Sequence, residues 1–309
     1  MSEAFGFREF GGPQTQEFFD RPDPVPGPTE VLIRVTVASV NPSDYKLRSG
    51  LAPAMYEGRP FPQVLGGEAT GVVLSVGADV EGLAVGDTVF GSALTGAGTY
   101  ARTTVLHGSY TARKPAELRD DWAATIPVAV TTAVDALDQL ALPRGATVLI
   151  NGVGGGVGLV TAQVARDRGM RVLGTGSTAK RGAAEAVDVT FADYSDADLP
   201  ARLCALAPEG IDALVDLVGG DSLRTLAPLV DDPARVLSVT DPAVVELGGA
   251  MVVRRGERAD LERAAALLLE GNIDPHVVAT YPFSRAADAL ALVESGHSLG
   301  KVVIDMTAT

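Results

Sequence analysis

From Val31 to Ala38 the chain reads Val-Leu-Ile-Arg-Val-Thr-Val-Ala, an alternating and β-branched pattern that predicts a strand. Pro22, Pro24, Pro26 and Pro28 precede it and exclude helix there. Gly71–Gly77 reads as a second strand bounded by glycines. Gly86–Gly91 reads as a turn followed by a short strand, and Gly98–Val105 as another strand. Short strands at this spacing predict a small barrel. The pattern changes near residue 120. Residues 121–140 are alanine-rich and read as helix, and strict β-α alternation follows. Strands are predicted at 147–151, 171–175, 187–191, 211–218 and 235–239, with helices at 157–168, 179–185, 196–206 and 221–229 between them. Repeated βα units imply a parallel sheet covered by helices on both faces. Met251-Val252-Val253-Arg254 reads as a sixth strand. A helix over 260–270 stops at Gly271, Ser284 is placed to N-cap a helix running to Ser295, and Lys301–Ile304 closes the chain as a strand.

Residues 147–158 carry the most specific chemistry. The apolar strand Thr147–Asn151 runs into Gly152, Gly154, Gly155, Gly156 and Gly158, and a helical pattern follows. Strand, glycine turn and helix together bring backbone N–H groups and a helix N-terminus to a pyrophosphate. Gly155, Gly156 and Val157 lie where the turn becomes helix, so their N–H groups are the expected donors. The second strand then discriminates between dinucleotides. An NAD site ends that strand in a carboxylate that binds the ribose 2′-hydroxyl. Here it ends Gly174-Thr175-Gly176-Ser177-Thr178-Ala179-Lys180-Arg181. Ser177 can donate to a 2′-phosphate and Lys180 or Arg181 can neutralise it, so NADP(H) is the expected cofactor. Tyr194, just beyond the third strand, either packs near the same ribose or adenine or is a plain surface residue.

Bulk properties narrow the setting. With 309 residues the chain is long enough for two domains, and 46% hydrophobic against 21% charged residues indicates a folded globule. A net charge of −14 repels nucleic-acid phosphates and anionic lipid, so neither is an expected partner. The single cysteine, Cys204, excludes an intramolecular disulfide. No basic start with an apolar run stands at the N-terminus, and the apolar runs are strand-sized, so a cytoplasmic setting is expected.

Several further segments occur in a telling order: Asn41-Pro42-Ser43-Asp44-Tyr45-Lys46-Leu47-Arg48-Ser49-Gly50, Phe61–Glu68 with Gly71, Val85–Gly91, Asp216-Leu217-Val218-Gly219-Gly220 and Gly296–Val303. Together with the glycine turn they make the chain resemble, over essentially its whole length, the medium-chain dehydrogenase/reductases, and within them the zinc-free quinone oxidoreductase branch. The resemblance implies an α/β protein. Residues 1–120 and 271–309 would form a GroES-like β-barrel catalytic domain, and 121–270 a Rossmann NADP-binding domain with a doubly wound parallel sheet. It also implies a homodimer paired through the sheet edge at 251–254. Zinc enzymes of the superfamily carry cysteine where this chain has Asn41 and histidine where it has Gly67. Glu68 remains, but one carboxylate cannot build a catalytic zinc site, which takes about three protein ligands. The expected reaction is therefore hydride transfer from NADPH to an acceptor that is already electrophilic, a quinone or similar conjugated carbonyl. An enone or enoyl-thioester reductase on the same scaffold is the alternative, and an NADPH-binding protein without catalysis a lesser one.

The resemblance also assigns roles. The 41–50 segment borders the nicotinamide and the substrate. Asn41 offers an amide to either, or simply forms a turn before Pro42. Tyr45 can hand a proton to the acceptor oxygen, or pack. Thr131, beside Thr132, lies near the nicotinamide. Val218 and Gly219 end the fourth strand, and Ser238, Val239 and Thr240 end the fifth, facing the carboxamide. Lys301 is a cofactor contact or a plain strand residue.

Overall fold

A computed structural model of the protein describes residues 1–51, 58–93 and 96–308. It divides into two compact units, Met1–Pro127 with Gly256–Leu269 and Val277–Thr309, and Val128–Arg255 with Glu270–His276.

The first unit is β-rich. One sheet joins β1 (Ser2–Phe7) to β2 (Gln16–Arg21) and β4 (Gln63–Val64). The larger sheet has seven strands. Its path runs through β15 (Val277–Pro282), β16 (Lys301–Asp305), β3 (Glu30–Val40), β5 (Glu68–Val76), β6 (Thr88–Ser92) and β8 (Thr111–Arg113), with β7 (Thr103–His107) also on β3. The long alternating strand β3 is the spine, antiparallel to β5, β7 and β16. Its inward residues Val31, Ile33 and Val35 are buried with Phe5, Leu65 and Phe283. Pairing sets Val302 opposite Val40 and Ala69 opposite Ala38. The end of β3 and the starts of β5 and β16 therefore meet at one place, which determines where Asn41, Glu68 and Lys301 lie.

Three details depart from the sequence reading. The strand read from Gly98 begins only at Thr103, because Tyr100 spends its N–H on Leu65 O and its carbonyl on Phe5 N. Ser284 lies inside a 3₁₀ turn, Phe283–Arg285, and the helix Ala286–Glu294 follows without a side-chain cap. The helix Arg258–Leu269, read as part of the nucleotide-binding domain, groups with the first unit. Its Arg258 guanidinium donates to the carbonyls of Glu81, Gly108 and Thr111 at 2.8–2.9 Å, a set no local pattern encodes.

The second unit holds a six-stranded parallel sheet. Its order is β11 (Thr190–Asp193), β10 (Arg171–Gly176), β9 (Thr147–Asn151), β12 (Ala213–Asp216), β13 (Val236–Ser238) and β14 (Ala250–Met251). This is the 3-2-1-4-5-6 order of dinucleotide-binding sheets, with the switch point between β9 and β12. The last strand is shorter than 251–254. Beyond Met251 the chain leaves the sheet, because Val253 N donates to Gln139 and Arg255 binds Asp135. The helix read over 121–140 is broken into Asp120–Ala123, a π-turn at Ile126–Val130 and Thr131–Leu140. Pro127, which has no N–H to donate, sits in the break. Among the described residues no helix is long and apolar enough to cross a membrane.

Gly158 packs the first helix of this unit onto its sheet. A Cβ there would lie 2.5 Å from Gly152 O and 2.6 Å from Val153 O, both backbone atoms that cannot yield alone. Gly158→Ala is therefore expected to destabilise the protein by about 1–3 kcal/mol. Gly182→Ala meets nothing within 4 Å in a helix, and should be neutral or stabilise by up to about 1 kcal/mol. Urea unfolding of both variants checks the contrast, and equal effects would contradict it.

Candidate active site

In the second unit the carboxyl edge of the sheet forms a cleft of about 430 Å³, lined by Gly152, Thr175, Gly176, Tyr194 and Val218 among others. Gly152 has φ +86°, and a Cβ there would strike Val218 Cγ2 at 2.8 Å, so glycine lets the two walls approach. Tyr194 and Val218 are 61% and 54% exposed, two apolar surfaces on the cleft that suit an adenine ring. The helix Gly156–Asp167 begins at Gly155 without a side-chain cap, so its first-turn N–H groups are available to an anion. Gly155 itself differs from expectation. Its N–H turns back to Gly152 O at 3.2 Å, which leaves Gly156 and Val157 as the helix donors.

Lys180 lies across this turn. A Cβ on Gly154 would sit 2.4 Å from Lys180 Cβ, so the glycine makes room for the lysine stem. Burial lowers the Lys180 ammonium below its ordinary value, with no carboxylate raising it. A desolvated cation beside a phosphate-type turn fits an anionic ligand. Arg181 is less committed to one, since it pairs with Glu185 and lies 4.8 Å over the Phe191 ring. Ser177 is half-buried just before it. Asp193, at the end of β11, is engaged locally. Ser195 and Thr178 both donate to it, holding its carboxyl down at about 2.

A buried polar latch, absent from the sequence reading, ties four strand ends together. Asp216 accepts from Asn151 Nδ2 and Ser238 Oγ, each at 2.7 Å, and from the N–H groups of Val218 and Gly219. Asn151 Oδ1 accepts from Thr175 and Ser222. Two residues of the expected cofactor edge are part of this latch. The Ser238 hydroxyl is spent on Asp216 while it accepts from Thr240 N and Asp241 N, and Gly219 N–H is likewise spent. Through these bonds they shape the edge. Val239 is half-buried and Thr240 exposed at the same edge, and Thr131 is buried at the head of its helix. The signal available in sequence was the polar residue ending each apolar strand, Asn151 and Asp216.

In the first unit, Asn41, Glu68 and Lys301 come together. Lys301 Nζ donates to Asn41 Oδ1 at 2.7 Å, to Glu68 Oε1 at 3.1 Å and to Val40 O at 3.5 Å. Asn41 Nδ2 donates to Glu68 Oε1 at 2.8 Å. Glu68 is fully buried and Lys301 is 4% exposed. The Lys301 ammonium is paired inside the first unit, with two close acceptors and a third at 3.5 Å. Asn41 opens the helix Pro42–Arg48, where Asp44 Oδ2 accepts from Asn41 N and from Tyr100 Oη at 2.8 and 2.7 Å. A cation thus stands against the one carboxylate left from the zinc pattern. That donor set does not fit zinc. Tyr45 packs on the core beside the helix Ala286–Glu294. Burial, and then the charge of Glu294, raise its phenol above the ordinary value.

Burial pushes the Asp44 carboxyl up to about 6, against the opposing pull of the Asn41 N–H, Tyr100 and Lys301. An acid raised on folding costs stability as pH rises from its unfolded value near 4 to its folded value, and no more above that. The loss here is about 3 kcal/mol. Asp44→Asn should flatten the fall in unfolding free energy between pH 4 and pH 7, while the wild type keeps it. Identical pH slopes by urea unfolding would contradict this.

The family model described as "Alcohol dehydrogenase GroES-like domain" matches residues 27–116, and the one described as "Zinc-binding dehydrogenase" matches 181–304. The chain is 32% identical over 293 residues to the 2-methylene-furan-3-one reductase of Solanum lycopersicum, covering 89% of this chain and 71% of that protein. It is 30% identical to the chloroplastic NADPH-dependent alkenal/one oxidoreductase of Arabidopsis thaliana, over 89% and 72%. The solved quinone oxidoreductase from Coxiella burnetii superposes with a TM-score of 0.88 at 27% identity, over 99% of both chains. With its GroES-like and Rossmann units and its Asn41, Gly67 and Lys301 in place of zinc chemistry, the chain belongs to the zinc-free quinone oxidoreductase branch of the medium-chain dehydrogenase/reductases.

Proposed function

We propose that the protein is an NADPH-dependent oxidoreductase that passes hydride to a quinone or another conjugated carbonyl without help from a metal. The observation that carries this reading is the Lys301–Glu68–Asn41 cluster. An ammonium has no vacant orbital to bind an alkoxide or carbonyl oxygen as a metal would, so the cluster favours an acceptor that is already electrophilic. Quinones and enones meet that demand. An enone or enoyl-thioester reductase is the second reading, favoured by what the tomato and Arabidopsis relatives are named for.

Bound NADPH supplies the hydride. The Gly156 and Val157 N–H groups would hold its pyrophosphate, Lys180 with Ser177 and Arg181 would take the 2′-phosphate, and Tyr194 with Val218 would flank the adenine. Asp216 keeps the strand ends in place, and Asn41 offers an N–H to the acceptor oxygen. Catalysis is then mostly positioning. The homodimer and the cytoplasmic setting implied by the family belong to the same reading.

Two experiments test it. Loss of reduced-nicotinamide absorbance is followed with ortho- and para-quinones, enones and acyl thioesters. Turnover of at least one conjugated class is expected. Inactivity on all of them with intact NADPH binding would leave a binding protein. NADPH should bind at least about tenfold more tightly than NADH, and Lys180→Ala should weaken NADPH by about 10- to 100-fold. Equal affinities in calorimetry would remove the 2′-phosphate assignment.

A further inference from the structure

A side-chain amide can flip by half a turn at almost no steric cost, which exchanges a donor for an acceptor. At Asn41 both ends meet a charge. Its oxygen lies 2.7 Å from the Lys301 ammonium and its nitrogen 2.8 Å from the Glu68 carboxylate. Flipping would set an N–H against the cation and an oxygen against the anion. Each charge-assisted bond lost disfavours the flipped form by about tenfold or more. The Asn41 backbone is also held, by Asp44. In this orientation the amide keeps one Nδ2–H beyond the bond to Glu68, and no acceptor for it occurs among the described residues. Lys301, with three acceptors, has no such donor left. Beside Glu68, a Cβ on Gly67 would meet nothing within 4 Å among the described residues, which leaves room for a ligand. A buried ion pair seldom stabilises a fold more than apolar residues of the same size, so its value here is geometric.

We propose that Glu68 and Lys301 are a positioning pair that locks Asn41 in one flip state, so that its second Nδ2–H always meets the carbonyl oxygen of the hydride acceptor. The pair touches no substrate and acts only through Asn41. The inference rests on the conjugated-carbonyl reductase reading above.

The chain contains three asparagines, Asn41, Asn151 and Asn272, so selective ¹⁵N-asparagine labelling gives three side-chain signals, with Asn41 assigned by its loss in Asn41→Ala. In the wild type with NADP⁺ and 2-cyclohexenone, a mixture that cannot react, one of the two Asn41 Nδ2 protons should shift. In Glu68→Gln the Asn41 signal should split or broaden and kcat for 2-cyclohexenone or a quinone should fall at least about tenfold, with NADPH affinity held within about twofold. In an Asn41→Ala background, Glu68→Gln should lower kcat by less than about twofold further. A tenfold loss in that background would make the pair merely structural, and an unperturbed Asn41 signal in Glu68→Gln would overturn the lock. If Glu68→Gln does not fold, the doubly neutral Glu68→Gln/Lys301→Met variant is read by the same signals. A wild type that reduces no acceptor sinks the reductase reading, while the Asn41 signal in Glu68→Gln still decides the lock.

Discussion

A carboxylate enclosed by protein must find a countercharge or lose its own. Glu68, fully buried at the start of β5, meets that constraint through Lys301 at the start of β16. Much of the first unit is arranged around the pairing. β3 has to run to Val40 so that Asn41 falls between the two charges, and β16 has to enter beside it. The chemistry follows from the same fact. On the proposed function, the site would offer an oriented amide in place of a metal, which suits acceptors already poised to take hydride.

The second unit solves a related problem with neutral donors. Asp216 is also fully buried, yet it is satisfied by an amide, a hydroxyl and two backbone N–H groups. Such a network is worth its burial only when every member is paired. Here it joins the ends of β9, β10, β12 and β13, the strands that carry the cofactor edge of the sheet. At this edge Lys180 is a half-buried cation lowered by desolvation, a cost that an anionic ligand would offset.

What could be read in the sequence follows the range of the forces involved. The glycine turn was legible because its demands are local: a positive φ at Gly152 and backbone atoms pressed against Gly158. The strands of both sheets were mostly legible from apolar runs. The short helix Pro42–Arg48 was hidden, because Asn-Pro reads equally as a turn, and Asp44 is what closes its first turn. Lys301 was undecided between cofactor contact and strand residue because its partners are 233 and 260 positions away. The bonds of Ser238 and Gly219 to Asp216 were hidden because that carboxylate is on a neighbouring strand or next to the turn. Arg258 moved a whole helix to the first unit through three carbonyl contacts that only the folded chain brings together.

The central claim is direct hydride transfer to an electrophile by residues that need no metal. It is tested most directly by incubating the protein with NADPH deuterated at C4, an enone and a strong chelator, and locating the label by mass spectrometry and NMR. The account predicts deuterium from one face of the nicotinamide at the β-carbon of the product, at a rate the chelator does not change. Deuterium washed out to solvent, or a rate abolished by the chelator and restored by zinc, would contradict it.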